Sequence, residues 1–459
     1  MESLIQILKR TKAKLKKDCV VFRENSDFVG YSYSVFFAFS SFLVFWPGFF
    51  SNDSFSQINQ AMSGYYSTWH PPIIAWLMRH LYSIFGVGGL LLFNQLLYWL
   101  GIWKFLTLTR QRSIILLILV GFFPPIYTLT LHVWKDASLM VFILWAVNFF
   151  LLFNRTNKML YFILFLFVSM VCVLTRINGF IPVFVLIFFA FMSLFKGSRF
   201  KVLSKSLICS VAIIVLSFIL NSAFNKVIEA KKENPLPSLL LWDIVGTANE
   251  AQIKIDQPYY SRTPNQDPNF DWQDKYDPVS CNLCWKGVNC NFSDNHNNEL
   301  IKDWIKIIIN NPLAYLKHRV ELASYLYGIR PFKQYYPYHN FRQAQSRGKE
   351  FSPSYLGLNA EKLVHRIDNF LIKIHLYQYP VYFLIALFVA GFSLLNIAQK
   401  KRNYLIPLML ALSGMVSAVS LFFVSVAADY RYISISIFLA ILSLLTFASL
   451  CIKKSAKPS

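Results

Sequence analysis

Apolar blocks of about 18–22 residues recur along this chain, divided by short links rich in Lys and Arg. That length leaves little choice of fold. At 1.5 Å per residue, a helix of about 20 residues crosses a hydrocarbon core some 30 Å thick. Inside that core every backbone polar group must find its partner within the segment, which a helix provides. The composition agrees: 55% of the 459 residues are hydrophobic and only 15% are charged, against about 25% charged in a soluble domain. Mean hydropathy is +0.43. The expected fold class is an all-α polytopic membrane protein of about ten transmembrane helices with a large extracytoplasmic loop domain, mixed or mainly helical.

The net charge of +22 invites a nucleic-acid reading, but its placement opposes one. Outside the large loop, most Lys and Arg sit in short links between apolar runs, whereas a nucleic-acid surface is a patch on a folded domain. Spans are predicted at about 31–50, 88–107, 113–131, 137–153, 159–175, 179–195, 206–224, 377–397, 404–426 and 432–452. Every link assigned to the cytoplasm is basic: Arg110 and Arg112, Arg155 and Lys158, Lys196 to Lys205, Lys400 to Arg402, and Lys453 with Lys454. The positive-inside rule then sets both termini in the cytoplasm. The region 71–107 is read as one span plus an interfacial helix, since two spans would turn all later basic links outward. The N-terminal segment 1–30, with Lys9, Arg10, Lys12, Lys14, Lys16 and Lys17, reads as a cytoplasmic amphipathic segment rather than a cleavable signal.

The chain divides into this segment, a membrane module over 31–225, a loop domain over 226–375 and C-terminal helices over 376–459. The loop carries sixteen of the twenty-three acids and differs sharply from its flanks. Residues 256–298 are turn-rich. Residues 299–328 read as helix, ended and restarted at Asn311-Pro312. Cys281, Cys284 and Cys290 lie close together in the loop. A disulfide between two of them is the expected state in an oxidising compartment, with a zinc site completed by His296 as the alternative.

Carboxylates are almost excluded from the membrane regions. Residues 28–228 hold two, Asp53 and Asp136, and the segment after Asp368 holds one, Asp429. Alternating the spans puts all three at one face of the bilayer. A carboxylate beside hydrocarbon costs a few kcal/mol unless paired or hydrated. Asp53, just beyond the first span, suits a general base for a hydroxyl proton, and equally an N-cap for the following helix. Asp136 follows Lys135 at a helix start, where an acid favours the helix dipole. Lys135, Arg176 and Arg431 are cations on the same side, suited to gripping an anionic lipid headgroup. Asp429 and Arg431 also read as a simple snorkelling pair. His70, before Pro71-Pro72, reads as a turn residue or a site residue.

The order of first span, Asp53, then Gly64 through His70-Pro71-Pro72, resembles the first outer loop of GT-C integral membrane glycosyltransferases, a superfamily that includes protein O-mannosyltransferases and lipid A aminoarabinose transferases. Trp134-Lys135-Asp136 is similar to their second outer loop, and Asp429-Tyr430-Arg431-Tyr432 resembles a closing segment of bacterial relatives. Asp53 is followed by Ser54, where many such enzymes carry a second acid. The resemblance implies transfer of a sugar from a polyprenyl-phosphate donor to an acceptor hydroxyl, with inversion, outside a bacterial inner membrane. Asp53 would be the base, and Lys135, Arg176 and Arg431 would hold the leaving phosphate. Asp136 would orient the acceptor, position Lys135 or help hold a divalent ion. Two carboxylates do not assign a metal, so none is assigned. The partners are then the lipid-linked donor, membrane lipids and a lipid, glycan or protein acceptor. The rival readings are a transporter or flippase, favoured by the Pro124-Pro125 interruption, and a lipid-linked glycan polymerase or ligase.

Overall fold

The computed structural model describes residues 27–330, 341, 348 and 351–455, so the basic segment expected over 1–30 lies almost wholly outside the described residues. The described chain is helical, with isolated bridges in place of strands. In chain order the helices are α1 (Asp27–Phe45), α2 (Asn52–Ser63), α3 (Ile73–Phe85), α4 (Gly89–Leu108), α5 (Ile114–Gly121), α6 (Pro124–Thr130), α7 (Lys135–Thr156), α8 (Met159–Thr175), α9 (Phe180–Leu194) and α10 (Arg199–Val227). There follow α11 (Leu236–Glu250), α12 (Asp294–Asn310), α13 (Pro312–Leu326), α14 (Tyr355–Lys373), α15 (Tyr379–Ala398), α16 (Leu405–Val424) and α17 (Tyr430–Ser455).

Eight helical stretches among the described residues are long and apolar enough to cross a bilayer, and the protein is a polytopic helical membrane protein. At 17 residues, α8 is shorter than these. The single span expected over 113–131 is instead two short helices, α5 and α6. Pro124 and Pro125 cause the break: neither has an N–H to donate, so both are placed at the first positions of a new helix. Between α1 and α4 the expected interfacial stretch is a helical hairpin. Ser51 caps α2, Gly64 ends it at φ 78°, and α3 folds back so that Arg79 donates to the Ala61 carbonyl at 3.1 Å. α3 is only about 20 Å long, too short to cross. A β-carbon on Gly89 would lie 2.8 Å from the Leu81 carbonyl oxygen, so this close return from α3 into α4 depends on glycine.

α7 is the most enclosed of the eight and packs on α4 and α8; α9 joins α10 and α16, and α15, α16 and α17 pack mutually. Polar side chains tie helices together where lipid supplies no partner. Gln95 of α4 donates to the Thr130 carbonyl at 3.0 Å, Asn148 of α7 to that of Gly101 at 2.9 Å, and Ser413 of α16 to that of Pro182 at 2.7 Å. The opposite surface is apolar and bare: Ile208, Val211, Val215 and Ile219 on α10 are all exposed, as a lipid-facing side requires.

The loop contains the break expected at Asn311-Pro312, with α12 before it and α13 after. It also contains α11 and α14, which the sequence pattern did not announce. Asp243 of α11 is fully buried, taking Arg319 at 2.7 Å, His318 at 3.1 Å and Trp304 at 2.9 Å. Arg319 also donates to the Ser425 carbonyl at 2.9 Å, and Cys281 N–H to that of Val426 at 2.7 Å, docking the loop on the α16–α17 corner. Cys284 and Cys290 form a disulfide, so the zinc alternative loses two of its ligands. The Cys281 thiol donates to the Ser238 carbonyl at 2.8 Å, and His296 lies against Tyr259 and Tyr260.

Candidate functional site

The seven residues singled out from sequence, Asp53, His70, Lys135, Asp136, Arg176, Asp429 and Arg431, gather at one end of the bundle. The backbone explains how. After α1, Phe49 donates to the Leu131 carbonyl and accepts from Val133 N–H, both at 3.0 Å, which sets the start of α2 beside the start of α7. Ser51, while capping α2, also accepts a 2.6 Å bond from the Trp134 indole. The loop bearing His70 is held by Thr68, whose N–H donates to Lys231 and whose hydroxyl donates to the Glu233 carbonyl at 2.8 Å. Tyr430 donates to the Pro125 carbonyl at 2.7 Å and so fixes the beginning of α17.

Two charge clusters result. In the first, Arg431 binds Asp53 at 2.6 Å and Asp429 at 2.8 Å. His70 Nε2 stands 3.6 Å from Asp53, and Lys135 Nζ stands 2.5 Å from His70 Nδ1. His70 thus stands between the two, with Nε2 towards the Asp53 carboxylate and Nδ1 towards Lys135. In the second, Arg176 pairs with the fully buried Asp136. Tyr432 joins the two: its ring centroid is 4.5 Å from the Arg176 guanidinium and 5.2 Å from that of Arg431, which also lies 5.1 Å from the Trp134 ring. These are cation–π distances.

Burial works to raise the Asp53 pKa, but Arg431, then His70 and Lys135, outweigh it and hold the carboxyl well below the usual carboxylate range. Burial lowers the His70 pKa, and the neighbouring Lys135 and Arg431 charges add to the effect, so the ring is neutral near pH 7. His132, stacked on Trp134 at 3.9 Å, is pushed down to about 3 by burial.

The structure separates residues that are neighbours in the sequence. Asp136 does not position Lys135, because neighbours one residue apart on a helix point in different directions. Lys135 meets His70 and Asp136 meets Arg176. The Asp136 carboxylate is enclosed with a guanidinium, and among the described residues no three His, Cys, Asp or Glu side chains group as metal ligands. Asp53 does not cap α2 through its side chain, since Ser51 does so. Three site residues had no assigned role in the sequence reading: Ser51, Trp134 and Tyr432. Their adjacency to Asp53, Lys135 and Arg431 was the only available signal.

A large cleft of about 1120 Å³ is lined by none of these seven residues. Its wall includes Pro71 and Ile177, the residues that follow His70 and Arg176. Comparison with protein-family models, with curated proteins and with solved structures returns no match.

Proposed function

We propose that this protein is a GT-C-type glycosyltransferase that moves a sugar from a polyprenyl-phosphate donor to an acceptor hydroxyl at the extracytoplasmic face of a bacterial inner membrane. The observation that carries the reading is the meeting of three carboxylates and three cations, drawn from separate segments, at one end of an apolar bundle. Desolvating charges is expensive even when they are paired, and helix caps alone do not call for it. An anionic headgroup on an apolar tail matches both the charges and their place. The basic links at the other end of the bundle support a cytoplasmic placement for that end and for both termini. Counting α8 and the broken α5–α6 pair as crossings gives the ten spans of the proposed topology.

In this reading the acceptor hydroxyl attacks the anomeric carbon from the face opposite the phosphate. A bond forms between acceptor oxygen and carbon, and the bond from carbon to phosphate oxygen breaks with its electron pair. The proton of the hydroxyl passes to Asp53, and polyprenyl phosphate leaves. Gripped by Arg431, Asp53 is a weak base at rest. A donor phosphate competes for the same guanidinium, and its arrival relaxes that grip and restores the basicity of Asp53. Lys135 and Arg176 add positive charge where the leaving group becomes negative. The orientation of neutral His70 towards Asp53 keeps the carboxylate in place.

The test compares surface glycans and lipid-linked sugars in cells with the protein, without it, and with Asp53→Asn. One sugar should vanish from an acceptor and its lipid-linked form accumulate, with the variant matching the deletion at normal abundance. Wild-type transfer by Asp53→Asn would remove the base. Unchanged glycans in all arms, with altered uptake or export of a solute, would favour a transporter, for which the break between α5 and α6 is the supporting feature.

A further inference from the structure

The cleft whose wall includes Pro71 and Ile177 is larger than the ~300–1,000 Å³ of most small-molecule sites, at about 1120 Å³. Its far wall is the end of α10 and the first turns of α12. Asn221 and Asn225 lie four residues apart on α10, hence on one face. Asn297 stands on α12. All three line the cleft, and the side-chain carbonyl oxygen of each is enclosed without a hydrogen-bond partner. The last torsion of Asn is broad, so each amide can turn towards a ligand hydroxyl with no existing bond at that oxygen to break.

The charges in the cleft cancel. Lys226, Lys231 and Lys232 are set against Glu229, Glu233 and Asp294, and Lys231 already pairs with Glu233 at 3.0 Å. Nothing there selects for an anion or a cation. The half-buried Phe292 adds apolar surface of the kind that packs on the C–H face of a sugar ring. The volume holds several rings, and the wall that includes Pro71 and Ile177 is formed by the chain neighbours of His70 and Arg176.

We infer that this cleft binds a neutral oligosaccharide acceptor, reading its hydroxyls through Asn221, Asn225 and Asn297 and leading one end towards Asp53. The inference rests on the transferase reading for the direction of the chain, but binding in the cleft does not require turnover. The experiment therefore measures binding by the full-length protein in detergent, with neutral gluco-, galacto-, manno- and N-acetylgluco-configured tetrasaccharides as probes. Tetragalacturonate and a neutral peptide serve as contrasts. Saturation-transfer NMR and calorimetry are the readouts.

At least one neutral probe should bind with little salt dependence. Asn225→Trp, which fills the cleft from α10, should weaken it about tenfold or more, as should Asn297→Trp from the opposite wall. Failure of every neutral probe to bind, undiminished binding in both folded tryptophan variants, or preference for tetragalacturonate or peptide would overturn the inference. Cleft-dependent sugar binding with transfer unaffected by Asp53→Asn would instead overturn the proposed chemistry and leave the cleft standing.

Discussion

Replacing Arg431 with Met keeps most of the stem and removes the guanidinium that binds Asp53 at 2.6 Å and Asp429 at 2.8 Å. Breaking a fully buried ion pair costs about 3–5 kcal/mol, because a charge is left uncompensated. The Asp53 side chain is 32% exposed, so water takes part of that cost and about 2 kcal/mol is expected at pH 7. The pH dependence gives the sharper test. In the wild type the folded Asp53 pKa lies below its unfolded value of about 3.9, so its contribution to stability is present above that pH and fades as pH falls through the folded pKa. Without Arg431 the strongest opponent of burial is lost and the folded pKa moves up. The carboxylate then contributes less stability at neutral pH than in the wild type, and the difference closes as the group protonates. The gap between variant and wild type should therefore be widest near neutrality and narrow as pH falls towards about 4. Thermal unfolding of purified protein between about pH 4 and 8 measures it. Asp429 also loses its partner, so Asp53→Asn with and without Arg431→Met isolates the Asp53 part as a double-mutant cycle. A gap independent of pH, or an equal gap in the Asp53→Asn background, would refute the account of this pair.

Under the proposed transferase function, Lys135→Met should weaken donor use more than maximal transfer, raising the half-saturating donor concentration by about tenfold or more, as loss of a charged hydrogen bond of ~1.5–3 kcal/mol requires; donor titration in membranes reads this. Cys284→Ser with Cys290→Ser should cost about 2 kcal/mol, the chain-entropy value for a separation of six residues. Reductant should lower the melting temperature of the wild type but not of that variant. Asp243→Asn should destabilise by about 3–5 kcal/mol, because Arg319 loses its buried counter-charge; falling abundance and melting temperature measure it, and a wild-type melting curve would contradict the role assigned to Asp243.

Much of the architecture was legible because lipid makes a simple demand. A run of about 20 apolar residues spans, and α4, α7, α9, α10, α15, α16 and α17 stand where hydropathy alone placed them. Two places escaped the rule. The run over 113–131 has the composition of a span, but Pro124 and Pro125 divide it into α5 and α6. α11 is buried nearly all round, from Leu240 to Ala248, so it presents no polar stripe whose period announces a helix. In the loop, sequence supplied three candidate cysteines, and only the folded chain selected Cys284 and Cys290.

The membrane-embedded helical class, the basic end of the bundle and the restriction of the few membrane-region acids to Asp53, Asp136 and Asp429 were determined by sequence alone. Each follows from the cost of placing a residue type in lipid, a local property of the chain. The partners of those acids were decided by tertiary structure. Asp53 meets Arg431 across 378 positions of sequence, while Lys135 and Asp136, covalent neighbours, turn to different partners. Ion pairing depends on distance through space, and that distance is set by how α1, α7, α8 and α17 pack and by the few backbone bonds that tie their ends.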